Sequence, residues 1–217
     1  MTTSDSSLNR RGFLKKTALF TAGFSSMASL PLLAADGSFP NQDTNINVFA
    51  PREGYDTQIG FLVSMMDWMR MVMMSSLRGL QTADLDFLLD DKANSIGAML
   101  MHMAATERFY QINTFDGKRW GNWKKKDLDE WSVASGLGEQ ARKEIKGNEL
   151  PYYEEKLADV RANTLKEFAN RDDNWLLAVD DDFPWGPTNN LCKWFHVCEH
   201  ESNHNGQIKL VRSRITT

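Results

Sequence analysis

Three of the four histidines in this chain fall within one short segment, Trp194-Phe-His-Val-Cys-Glu-His-Glu-Ser-Asn-His-Asn-Gly-Gln-Ile208, as His196, His200 and His204. The fourth is His102. Residues four apart on an α-helix stack on one face, about 6 Å apart along the axis. His200 and His204 can therefore aim two imidazoles at one ion, as the paired histidines of helical zinc motifs do. His196 and His204 are about 12 Å apart along the axis, too far to share an ion whose bonds are about 2.1 Å long. A third protein ligand must come from elsewhere, and His102 is the histidine that remains. The expected centre is His102, His200 and His204 between two packed helices, with open positions for water or substrate. The plain alternative is a polar surface pair or a hydrogen-bonded core pair. The pair lies in line with Val197, Ile208 and Val211, which suggests the core-facing stripe, where unpaired imidazoles are costly. Spacing alone leaves both readings open.

Other residues compete for chemical roles. His196, one turn before His200, is a candidate for the pocket wall or for proton shuttling, against a structural histidine. Glu107, five residues after His102, lies roughly 140° around the helix and is a poor co-ligand. It could reach a neighbouring helix or the pocket edge, or be a salt-bridged carboxylate. Cys192 and Cys198 are six apart, about 9 Å along a helix axis, which disfavours a disulfide. Both read as small buried residues. Six of the eleven methionines lie between Met65 and Met74. Thioethers near histidines could suggest copper(I), but methionines at helical spacing fit adaptable core packing. Asp180, Asp181 and Asp182 lack the spaced oxygen ligands of a calcium loop.

The elements that must position these residues are helices. Leu62, Met65, Met66, Met69, Met73 and Leu77 predict a first helix over 57–80; Asp67, Arg70 and Arg78 interrupt its apolar character. Asn94 or Ser95 is expected to cap a second helix, carrying His102, that runs to about Asn113. Residues 114–148 read as an irregular insert with a short helix near 138–146. Pro151 suits the first turn of a third helix running to about Ala169. Residues 170–187 read as a second irregular stretch. Thr188 or Asn189 is expected to cap the last helix, which runs to about Arg212. The fold class is all-α, with inserts between helices two and three and between helices three and four.

Two stretches carry a resemblance. Asn94-Ser-Ile-Gly-Ala-Met-Leu-Met-His102-Met-Ala-Ala-Thr-Glu107 resembles the first histidine segment of the DinB/YfiT-like family. His196-x3-His200-x3-His204-Asn-Gly-Gln-Ile208 resembles its second, in which a histidine pair precedes Gly-Gln. The similarity runs from about Gly60 to Arg212. It implies a metal-binding four-helix bundle with His102, His200 and His204 as ligands. Asn205 departs from the pattern, since many members carry Arg there, and this puts an arginine-dependent anion contact in doubt. Some members transfer low-molecular-weight thiols to electrophiles, and others are described only as hydrolases. The expected activity is thus thiol transfer or hydrolysis at a divalent metal: zinc by default for three histidines, with nickel, iron or manganese compatible by ligand type. The competing expectation is a non-catalytic exported metal-binding or interaction protein. A homodimer is common among similar bundles.

The first 35 residues read as a leader. Asn9-Arg10-Arg11-Gly12-Phe13-Leu14-Lys15-Lys16 matches the twin-arginine export pattern, a moderately apolar stretch follows, and Leu33-Ala34-Ala35 is a plausible cleavage site. The expected location is the periplasm, with uncleaved membrane anchoring as the alternative. Residues 36–56 read as a linker or strap, and 57–217 as the bundle. Removing Arg10, Arg11, Lys15, Lys16 and Asp5 from 25 basic and 29 acidic residues leaves 21 and 28, a net charge of −7. This balance argues against nucleic acid as a partner, because phosphate binding needs a basic face.

Overall fold

The structure is a computed structural model that describes residues 45–215. Residues 1–35, expected to be a leader, and residues 36–44, the first part of the expected strap, lie outside the described residues. Among the described residues, eight helices and one two-stranded ribbon follow in order: α1 (Thr57–Ser75), α2 (Thr82–Leu85), α3 (Ile96–Thr114), α4 (Lys125–Gly136), α5 (Gly138–Glu144), α6 (Leu150–Phe168), α7 (Asp173–Leu177), β1 (Val179–Asp180), β2 (Thr188–Asn189) and α8 (Asn190–Arg212). The strands pair antiparallel, with Val179 opposite Asn189. The four long helices form the bundle. α3 packs on α4, α6 and α8, and α1 packs on α8. Among the described residues no helix is long and apolar enough to cross a membrane.

The caps explain where the two histidine-bearing helices begin. Ser95 accepts a hydrogen bond from the Ala98 N–H at the start of α3, and Asn189 accepts one from Cys192 N–H at the start of α8, each satisfying a free N-terminal donor. α6 opens with Pro151 in its first turn, where a missing N–H costs nothing. The first helix stops at Ser75 rather than at residue 80. Leu77 and Leu80 are nevertheless buried, so the apolar period continues through a non-helical turn that ends at Gly79, φ +79°. The insert over 114–148 is more ordered than its composition suggests. It folds into α4 and α5, and Trp131, Ala134 and Ala141 turn inward. The second insert holds α7 and the β-ribbon.

Two glycines mark close approaches. At Gly60 an added Cβ would lie 2.6 Å from the Arg52 backbone nitrogen, so the strap over 45–56 lies directly on α1. At Gly97 it would lie 2.5 Å from the Tyr153 hydroxyl, and Tyr153 is fully buried between α3 and α6. Gly97→Ala is expected to destabilise the fold by about 1–3 kcal/mol through overpacking, despite the better helix propensity of alanine. A urea midpoint at or above that of the parent would show that Tyr153 can move aside.

Candidate metal centre

α3 presents His102 to α8, and α8 presents His200 and His204 on successive turns. His102 Nε2 lies 3.2 Å from His200 Nε2, and His204 Nε2 lies 3.2 Å from the same atom. One ligand atom from each of the three histidines lies within 4.8 Å of the others. Adjacent ligands around an ion with bonds of about 2.0–2.1 Å stand about 3.3 Å apart when tetrahedral, so the spacing fits a metal. The donor chemistry fits as well. His102 Nδ1 is 3.0 Å from the Ala134 carbonyl of α4 and donates to it, so the lone pair on Nε2 faces His200. Such a bond on the outer nitrogen fixes the tautomer that a metal requires.

The electrostatics favour neutral imidazoles. Burial, then the neighbouring His204 and His102, push His200 down to about 3. Burial, then His102, pushes His204 down to about 4. Burial also lowers His102, although the carbonyls of Ala134 and Ser135 work against it. Neutral imidazole is the form that ligates.

His102 and His200 open onto a cavity of about 240 Å³, which is also lined by Thr106, Tyr110, Trp120, Phe183, Trp185 and His196. His196 is therefore a pocket residue. Its ring centroid is 5.3 Å from that of His200, and its Nδ1 shares a 2.9 Å hydrogen bond with the Tyr110 hydroxyl. Burial raises the Tyr110 pKa and keeps the phenol protonated. Tyr110→Phe is expected to leave metal content unchanged and to alter substrate KM several-fold, as the loss of one hydrogen bond of about 1 kcal/mol implies; steady-state kinetics check this.

Glu107 is not at the pocket edge. It is fully buried on the opposite side of α3, where Arg161 Nε and Nη2 donate to it at 2.8 and 3.2 Å, Arg70 Nη2 at 3.1 Å and the Thr164 hydroxyl at 2.6 Å. Glu201, directly after His200, joins the same cluster through Arg70 (2.6 Å) and Arg161 (2.8 Å). One buried network thus ties both histidine-bearing helices to α1 and α6. Asn205 is buried, and its Oδ1 has no hydrogen-bond partner among the described residues; it does not line the cavity.

The cysteines depart from expectation in part. Both are free, and Cys192 is exposed rather than buried. Burial pushes the half-buried Cys198 thiol up to about 11. Met66 and Met73 are fully buried in the core, as adaptable packing requires. Asp180 pairs with the buried Lys193 at 2.7 Å, and both border a separate polar cleft with Asn113, Lys118, Arg119 and Asp182. Sequence reasoning missed Ala134, Tyr110 and Arg161. Only Arg161 left a signal, as a charge within the buried series Leu157, Val160, Thr164 and Phe168.

Residues 61–217 match the sequence model of a family described as MST: mycothiol-S-transferase. No curated protein matches the chain.

Proposed function

The chain belongs to the mycothiol S-transferase family, one of the DinB/YfiT-like families, and on that premise we propose that it transfers mycothiol or another low-molecular-weight thiol to a small electrophile at a divalent metal held by His102, His200 and His204. The observation that carries the proposal is the convergence of these three imidazoles beside an aromatic cavity. When bound, a dipositive ion on three neutral imidazoles lowers the pKa of a coordinated thiol, making thiolate available near neutral pH. The residues of the chain supply placement. The Ala134 carbonyl orients His102. The rings of Trp120, Phe183 and Trp185 give the cavity an apolar wall that would limit the access of water to a thiol bound there. The Tyr110–His196 pair offers a hydrogen bond to a substrate held there. Zinc suits the donor set best, and nickel, iron and manganese accept the same donors.

The test uses the full chain, purified without a histidine tag. Metal analysis is expected to find roughly one divalent ion per chain. Thiol conjugation to a panel of electrophiles is then expected to fall at least about 100-fold in His204→Ala. Absence of metal after reconstitution, or undiminished turnover of a confirmed thiol substrate in that variant, would remove the metal from the mechanism. Ester hydrolysis without thiol would point to metal-activated water instead.

We also propose that residues 1–35 direct twin-arginine export, on the strength of the Arg10-Arg11 motif. Changing both arginines to lysine is expected to retain the protein in the cytoplasmic fraction; unchanged distribution between fractions would dismiss the leader.

A further inference from the structure

We infer that the cavity beside the three histidines selects an uncharged, planar aromatic or conjugated electrophile of one or two rings. This deepens the S-transferase reading and rests on it. The walls carry the argument. Tyr110 and Trp120 have ring centroids 4.9 Å apart, Trp120 and Phe183 5.3 Å, Phe183 and Trp185 5.1 Å, and Trp185 and His196 5.0 Å. The interplanar angles run from 51° to 88°. The chain of rings therefore offers both faces and edges to a flat guest, the contacts aromatic groups prefer.

Charge is absent from these walls. Among the described residues, no aspartate, glutamate, lysine or arginine lines the cavity. The nearby cations are committed elsewhere. Arg70 and Arg161 are held by Glu107 and Glu201, Arg108 by Asp127, and Lys193 by Asp180. Arg119 borders the separate polar cleft. A carboxylate on the electrophile would be desolvated without a protein counter-charge. If it reached the histidines, it would compete with the thiol for the ion.

Size narrows the class further. A cavity of about 240 Å³ exceeds the roughly 150 Å³ that encloses benzene and falls short of the roughly 300 Å³ at which drug-sized pockets begin. Thr106, Ser135 and the Tyr110–His196 pair leave polar groups for one neutral acceptor, such as a nitro or carbonyl oxygen. With a benzylic halide as electrophile, the thiol sulfur–carbon bond forms as the carbon–halogen bond breaks. Halide leaves, and the thiol proton passes to solvent.

The test is calorimetric titration of the full chain stripped of metal, so that no ion can ligate the carboxylate, using 4-nitroanisole and 4-nitrobenzoate as a matched neutral and anionic pair. 4-Nitroanisole is expected to bind at least tenfold more tightly. Trp185→Ala removes a ring that is 56% exposed, so the fold should survive; it is expected to weaken 4-nitroanisole about three- to tenfold. Thr106→Lys adds a cation to the wall and should shift preference towards 4-nitrobenzoate. Equal or tighter binding of 4-nitrobenzoate by the parent, or no binding of 4-nitroanisole, overturns the inference. Tight 4-nitroanisole binding without thiol transfer to any electrophile would support this assignment and sink the S-transferase reading. Transfer confined to carboxylated electrophiles would do the reverse.

Discussion

His200→Ala is expected to strip the metal from the purified protein and to lower thiol transfer at least about 1,000-fold, since the loss of a group that merely orients a ligand already costs 10–100-fold. His200 is the centre of the trio. Its Nε2 is 3.2 Å from that of His102 and 3.2 Å from that of His204. Without it, the remaining two imidazoles come from different helices with no donor between them. The fold should tolerate the change. His200 is half-buried, and burial together with its histidine neighbours already disfavours its charged form, so the metal-free variant should match or exceed the stability of the metal-free parent. Metal analysis beside thermal unfolding separates the two effects. A variant that retains stoichiometric metal at parental affinity would show that His200 is not a ligand.

Arg161→Met should have the largest effect on stability, a loss of about 3–5 kcal/mol, the usual cost of removing one partner from a buried ion pair. Much of the stability of a typical domain is of that order. The Arg161 guanidinium donates to Glu107 and Glu201 at 2.8 Å each and to the Met66 carbonyl at 3.3 Å. The carboxylates are 0% and 3% exposed, and the variant leaves Arg70 to pair with both, with the Thr164 hydroxyl still donating to Glu107. Adding Glu107→Gln should recover part of the loss, because it removes the stranded charge. The pH dependence has a definite sign. Burial alone would raise the pKa of Glu107, but Arg161 and Arg70 outweigh it and hold the carboxyl below its ordinary value of 4.5. A carboxylate so depressed contributes stability above that value, and the contribution is lost as pH falls through the folded-state pKa. Urea midpoints of the parent should therefore drop as pH falls below about 4.5, and those of Arg161→Met should drop less steeply. A variant midpoint equal to that of the parent at neutral pH would demote the network to the weight of a surface pair.

These two sites were unequally legible in the sequence. The histidine trio could be read because helical period and ligand reach leave His102 as the available third donor. The long helices followed from apolar spacing and caps, with Ser95 and Asn189 at the expected starts. The network around Arg161 could not be read in the same way. Arg70 and Glu107 were visible as charges on helices, but their partners lie 37 to 131 residues away, and no local period encodes such a pairing. The Ala134 carbonyl that orients His102 left no trace, since a backbone acceptor has no residue type. Within the insert, α5 was expected near 138–146, whereas α4 was obscured by the surrounding glycines, lysines and tryptophans, although Trp131 and Ala134 turn inward from it.

The His102–His200 contact joins residues 98 apart in sequence. An ion held there would act as a cross-link as well as a reagent. Closing a loop of roughly that length removes unfolded-state entropy worth up to about 4–5 kcal/mol in the chain-entropy model of disulfides. Unlike a disulfide, this cross-link opens on chelation instead of reduction. The lifetime of the folded chain against proteases would then follow the supply of free metal in its compartment, and a starved protein would be cleared before a loaded one.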